Sequence, residues 1–166
     1  MFHRFNCLIV AALLILVCGQ AAAQLERNPK LAQKDLEAAQ TITREAGGAN
    51  AELIYAARLD VIQKGSFDSL VVIYAKATKG GKDYYALVNQ EGKNFSLVYD
   101  KQGRALKSGD KFFRIGLKHE EGKSPLLRVM GQVSDPAKGE MLRNIDFQFN
   151  GTEFPLISQS MTPLPK

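Results

Sequence analysis

The chain has 166 residues, 45% of them hydrophobic and 23% charged, with a formal net charge of +5 at pH 7. That length allows one domain, or one domain and a targeting segment, and scattered lysines and arginines without an Arg-rich helix speak against a nucleic-acid partner. Two cysteines, two histidines and no tryptophan leave little for metal or thiol chemistry.

Residues 1–23 read as a secretory signal peptide. Met1-Phe-His-Arg4 is a short positive segment, Leu8 to Val17 is an unbroken apolar run, and Ala21-Ala22-Ala23 is a small-residue cleavage site before Gln24. The run is shorter than the ~18 residues a membrane span needs, so we expect cleavage, no stable span afterwards, and a secreted or periplasmic protein. Val17 stands where a lipoprotein would need a small residue before Cys18. Cys7 and Cys18 both fall inside the signal, so the mature chain can form no disulfide and must rely on a core. About 140 residues suffice, because a domain of that size buries roughly two-thirds of its unfolded surface.

Residues 24–50 form a helix and a linker. Asn28-Pro29 suits a cap and first turn, Lys30 to Ala46 is rich in Ala, Leu, Lys, Gln and Glu, and Gly47-Gly48 ends the helix. Leu31, Ala38, Ile42 and Ala46 make a thin apolar stripe, which predicts a helix laid against a sheet.

From Ile54 the pattern is β. Leu70 to Tyr74 is continuously apolar, as a strand covered on both faces requires. Lys79-Gly80-Gly81-Lys82 turns into Tyr84 to Val88, and Glu91-Gly92-Lys93 turns into Phe95 to Tyr99. Asp100 to Lys111, with two glycines and four cations, reads as a linker. Beyond it the alternation is cleaner. Phe113, Ile115 and Leu117 oppose Arg114 and Lys118, and Leu127, Val129 and Val133 oppose Arg128 and Gln132. Ile145, Phe147 and Phe149 oppose Asn144, Asp146 and Gln148, the signature of a half-buried strand. Phe154 to Ile157 closes the set, and the segment from Ser158, with Pro163 and Pro165, reads as a frayed tail.

A repeat emerges from this pass. Gly92-Lys-Asn-Phe95-Ser-Leu97-Val98 matches Gly151-Thr-Glu-Phe154-Pro-Leu156-Ile157 at its glycine, phenylalanine and aliphatic positions. The fold class expected is mainly β: two four-stranded antiparallel meanders, packed together, with one N-terminal α-helix. The β-rich domain spans 51–158, with halves at about 54–99 and 112–157, and 159–166 is a flexible tail. A period of that size suggests propeller-blade-like units.

Asp60-Val-Ile-Gln-Lys-Gly65-Ser-Phe-Asp68, leading into Leu70-Val71-Val72, resembles the calcium loop and second strand of an FG-GAP or VCBS-type β-propeller blade. The resemblance implies that Asp60 and Asp68 occupy the first and last ligand positions and Gly65 the turn. Ile62 and Lys64 would then occupy the middle ligand positions, where one offers no oxygen and the other brings a positive charge. We therefore expect no metal and no cofactor, with the Lys64 ammonium tying Asp60 and Asp68 together in the ion's place. Two blades cannot close a ring. Either several chains assemble, or the meanders pack face to face as a sandwich or barrel-like pair, and the one-sided alternation of the second half favours packing.

No HExxH, GxSxG or phosphate-cradling glycine loop occurs. His119 falls in the polar turn His119-Glu120-Glu121-Gly122, Tyr84 and Tyr85 could line a site only if neither faced the core, and Asn94-Phe-Ser96 and Asn150-Gly-Thr152 are sequons in a eukaryotic source alone. The reading expected is an exported, non-catalytic binding module, touching a protein or cell-envelope component through its turns or edge strands. The alternative is a small ligand carrier or hydrolase with a site in the mouth of the β-structure. The degenerate loop yields a direct test. Replacing Ile62→Asn together with Lys64→Asp should raise the melting temperature when calcium is added, whereas a correctly folded variant indifferent to calcium would refute the loop's derivation.

Overall fold

The computed structural model describes residues 31–164 apart from 62–66, 68, 98–110, 120 and 122. Among the described residues one helix, α1 (Gln33–Gly47), precedes eight strands: β1 (Glu52–Leu59), β2 (Ser69–Thr78), β3 (Gly81–Gln90), β4 (Lys93–Leu97), β5 (Lys111–Lys118), β6 (Leu126–Asp135), β7 (Gly139–Phe147) and β8 (Leu156–Pro163). They form two four-stranded antiparallel sheets in simple chain order, β1-β2-β3-β4 and β5-β6-β7-β8. The expected architecture holds: two meanders packed together, with one helix.

β2 shows why. Val71 and Ile73 point into the core between the sheets, and Leu70, Val72 and Tyr74 point to the opposite face, under α1. All five are buried, four of them to within 1% of full burial. A strand that feeds two cores must be apolar at every position, not at alternate ones. The first sheet is therefore the middle layer, between the helix and the second sheet.

The intersheet core joins Val71, Ile73, Ala86 and Val88 to Phe112, Ile115, Leu127, Val129, Ile145 and Phe147. The two phenylalanines matched by the repeat meet at its edge: Phe95 and Phe154 lie 5.8 Å apart edge-on, with Phe149 packed against both. Their turns differ: Gly92 is the second residue of the Glu91-Gly92 loop, and Gly151 the first of the Gly151-Thr152 loop. Gly92 and Gly151 both have positive φ, and Glu91 shares the left-handed conformation with Gly92, as a two-residue hairpin with twisted strands demands.

The structure corrects several local expectations. α1 starts at Gln33, with Ala32 at its N-cap and no side-chain cap, and Asn28-Pro29 lies outside the described residues. Its buried face is Asp35, Ala39, Ile42 and Thr43, with Leu31 and Ala38 at the margin and Ala46 exposed. The rotation has a cause: Arg58 of β1 donates to Oδ1 of Asp35 from Nη2 at 2.8 Å and from Nε at 3.2 Å, drawing that side of the helix inward. The same pairing holds the Asp35 carboxyl below its ordinary pKa.

In β5 the alternation is reversed at its start. A bulge between Phe112 and Arg114 buries Phe112 and leaves Phe113 45% exposed. A bulge places two residues opposite one and so switches faces. Phe112 lies over Gly131, where a Cβ would sit 3.0 Å from its ring. The tail expected from Ser158 is instead strand, since β8 pairs with β7 as far as Pro163 opposite Met141. The linker residues 100–110 lie outside the described residues.

The bulge fixes an ordering of stabilities measurable by urea unfolding. Phe112→Ala should cost about 3–5 kcal/mol, Phe113→Ala less than about 1 kcal/mol, and Gly131→Ala should destabilise because Phe112 must move.

Candidate functional site

Of the four residues in the degenerate calcium loop, only Asp60 is among those described; it follows β1, half-buried, beside the buried Val61. Lys64, Gly65 and Asp68 lie outside the described residues, as does any pairing among them. His119 sits exposed just beyond β5. Among the described residues no three His, Cys, Asp or Glu side chains are placed to hold a metal ion.

The two adjacent tyrosines line no common surface. Tyr84 packs at the margin of the intersheet core, whereas Tyr85 stacks on Tyr74 under the helix at 5.2 Å, with the Lys76 ammonium 5.0 Å from its ring. Both sequon asparagines are engaged. Oδ1 of Asn94 accepts from Asn89 at 2.8 Å, and Oδ1 of Asn150 accepts the N–H groups of Thr152 and Glu153 at 3.0 and 2.9 Å, closing the β7–β8 turn.

The outer face of the second sheet carries a polar row centred on one buried carboxylate. Arg128, Asp146 and Ser158 are direct cross-strand neighbours on β6, β7 and β8. Arg128 donates Nε to Oδ1 of Asp146 at 2.6 Å and Nη2 to Oδ2 at 2.8 Å, and the Ser158 hydroxyl donates to Oδ2 at 3.1 Å. Asp146 is only 3% exposed. Alternation predicts a solvated aspartate here, but two donors on neighbouring strands hold it in the sheet. The Arg128 hydrogen bonds outweigh desolvation and keep its carboxyl below the ordinary range. A carboxylate so stabilised is a weak base and does not activate the serine. The row's work is to hold β8 on β7.

β8 is also the strand whose extent the sequence understates, ending it at Ile157 where the structure carries it to Pro163. The two sheets have four edge strands, β1, β4, β5 and β8. β1 and β5 lie together, the Tyr55 hydroxyl donating to the Ile115 carbonyl at 3.2 Å. β4 is five residues long and begins with Lys93. β8 has eight residues, Leu-Ile-Ser-Gln-Ser-Met-Thr-Pro, without a charge, and every one from Ile157 to Pro163 is exposed. Ile157 and Met161 expose 51% and 55% of their surface. Proteins protect such an edge with lysine, shortness, cover, proline or a bulge; here the proline and the bulge stand at the two ends, at Pro163 and Ile157, and the stretch between them carries no lysine.

The direction of its backbone groups follows from register. The Leu164 N–H donates to the Glu140 carbonyl, so the alternate residues Thr162, Ser160 and Ser158, paired with Leu142, Asn144 and Asp146, also turn their backbone groups to β7. Gln159 and Met161 therefore turn theirs away from it, and the alternation stops at a bulge at Ile157, beyond which Leu156 pairs with Phe147 and the Pro155 carbonyl accepts from the Gln148 N–H. Pro163 belongs to the outward set too, so its missing N–H costs the β7 ladder nothing. A second side-chain tie, from Nη2 of Arg143 to Oε1 of Gln159 at 3.0 Å, steadies the strand. The signal was present in the sequence, as an uncharged run of β-compatible residues between Pro155 and Pro163, but the prolines made it read as a tail.

The Asp146 row carries a pH dependence. The carboxyl's folded pKa lies below its unfolded one, so its stabilisation is complete above the ordinary Asp range and is lost as pH falls through the folded value. Asp146→Asn should therefore cost about 1–3 kcal/mol at neutral pH. The gap between the two proteins' urea midpoints should narrow as pH falls from about 5 to about 2, whereas a pH-independent gap would deny the carboxylate its charged role.

The described residues include no helix long and apolar enough to cross a membrane. Compared with protein-family models, with curated proteins and with solved structures, the chain has no match in any of the three.

Proposed function

We propose that this chain is an exported, non-catalytic binding module that takes an extended polypeptide onto the outer edge of β8 by strand addition. Export rests on the signal-like residues 1–23. The binding mode rests on one observation: a long, uncharged, solvent-exposed edge strand, with outward-facing backbone groups at Gln159 and Met161. In strand addition the main chain supplies affinity and alternate side chains supply selectivity. Ile157 and Met161 provide apolar contacts on either side of Gln159, and the ties from β7 through Ser158 and Gln159 hold the edge ready without an ordering cost at binding.

Displayed random heptapeptides test this reading. Peptides selected on the protein should slow hydrogen exchange at the Gln159 and Met161 amides and should lose binding to the Ile157→Lys variant, whose melting temperature stays near that of the parent because the site is exposed. Selected peptides that leave those amides unprotected would overturn it.

A further inference from the structure

We infer that the segment β8 accepts is β8 of a second copy of this chain, in one antiparallel register centred on Gln159. The inference rests on β8 being the binding edge and names its occupant.

Three observations converge on a copy. The first is a symmetry in the strand. Pro155 and Pro163 bracket the seven residues Leu156–Thr162, whose midpoint is Gln159. About that midpoint the strand matches its own reverse, serine at 158 and 160 and an exposed apolar side chain at 157 and 161. Antiparallel pairing across a two-fold axis thus sets Ile157 against the partner's Met161, Ser158 against the partner's Ser160, and Gln159 against the partner's Gln159. Moving the centre to Ser158 or Ser160 sets Met161 against the partner's Pro155, or Ile157 against the partner's Pro163. Only the Gln159 register uses the whole window.

The second is the hydrogen-bond phase. Gln159 is one of the residues whose N–H and C=O face away from β7. It meets the partner's Gln159 as a hydrogen-bonded pair, and Met161 lies across from the partner's Ile157, the bulged residue at which the regular ladder ends on each side. The register that side chains prefer is the one the backbone permits.

The third is charge. The chain carries a net charge of +5, and a two-fold axis through a charged edge would oppose like charges. The β8 window has none. Pairing also ends at two copies: it joins two second sheets into one of eight strands, and its far ends, β5, already lie beside β1. Seven residues a side fall short of the ~800 Å² per partner of a standard interface, so the dimer forms in the micromolar to sub-millimolar range.

The test is sedimentation velocity on the protein purified after expression of the full chain, from about 5 μM to about 1 mM. A concentration-dependent dimer is expected, abolished by Ile157→Lys. Register is read by disulfide trapping in a chain with Cys7→Ser and Cys18→Ser. There Gln159→Cys should cross-link to itself at least about tenfold faster than Ser96→Cys on the β4 edge, because facing residues in an antiparallel pair lie within disulfide reach. A monomer throughout, with Gln159→Cys no faster than Ser96→Cys, overturns self-pairing. If selected heptapeptides still protect the Gln159 and Met161 amides of that monomer, strand addition survives with another occupant; if they do not, both fall. The wild-type series needs no variant, so a misfolded mutant cannot mask the answer.

Discussion

Val71 and Ile73 face one way from β2, Leu70, Val72 and Tyr74 the other, and the rest of the molecule is arranged to cover both sets. Fully burying an aliphatic or aromatic side chain contributes about 1.5–3 kcal/mol, against about 0–1 kcal/mol for an exposed ion pair. Burial on β2 therefore dominates, and the polar contacts select among arrangements that satisfy it. The second sheet supplies one cover and α1 the other. The Asp35–Arg58 pair then decides which side of the helix turns inward.

This layering leaves the two sheets in different circumstances. The first is covered on both faces, whereas the second has its apolar side on the intersheet core and its other side lined by polar and charged groups. There Arg128, Asp146 and Ser158 satisfy one another across three strands, so a buried carboxylate needs no solvent. Removing one partner of a buried carboxylate costs more than the intact pair contributes, so the row opposes any strand order that would leave Asp146 unpaired. It keeps the last strand in place where little apolar burial does so.

β8 is consequently a strand held from one side only. Its side chains are exposed, its inward backbone groups are used by β7, and its outward ones face solvent. Elsewhere the fold manages its edges, by apposing β1 and β5 and by keeping β4 short. On that contrast rests the proposal that β8 takes up another polypeptide.

Much of this was legible in the residues. The unbroken apolar run of β2 specified two covered faces, because period-two alternation can be abolished only by burial on both sides. The positive-φ turns at Gly92 and Gly151 and the alternation of β7 specified two meanders, and Gly47-Gly48 specified the helix end. These are local effects of backbone sterics and side-chain period. What sequence alone left open depended on neighbours distant in the chain. Phe112 and Phe113 are equally apolar, and only the vacancy above Gly131 and the bulge decide which goes inside. Asn144 and Asp146 alternate like solvated residues, and only Arg128 and Ser158 on adjoining strands permit their aspartate to be buried. Ser158 to Pro163 has the composition of a tail, and becomes the rest of a strand because β7 offers it a ladder. Period and turn chemistry act within a few residues and can be read in order; cover, edge position and charge partners exist only once the chain has folded back on itself.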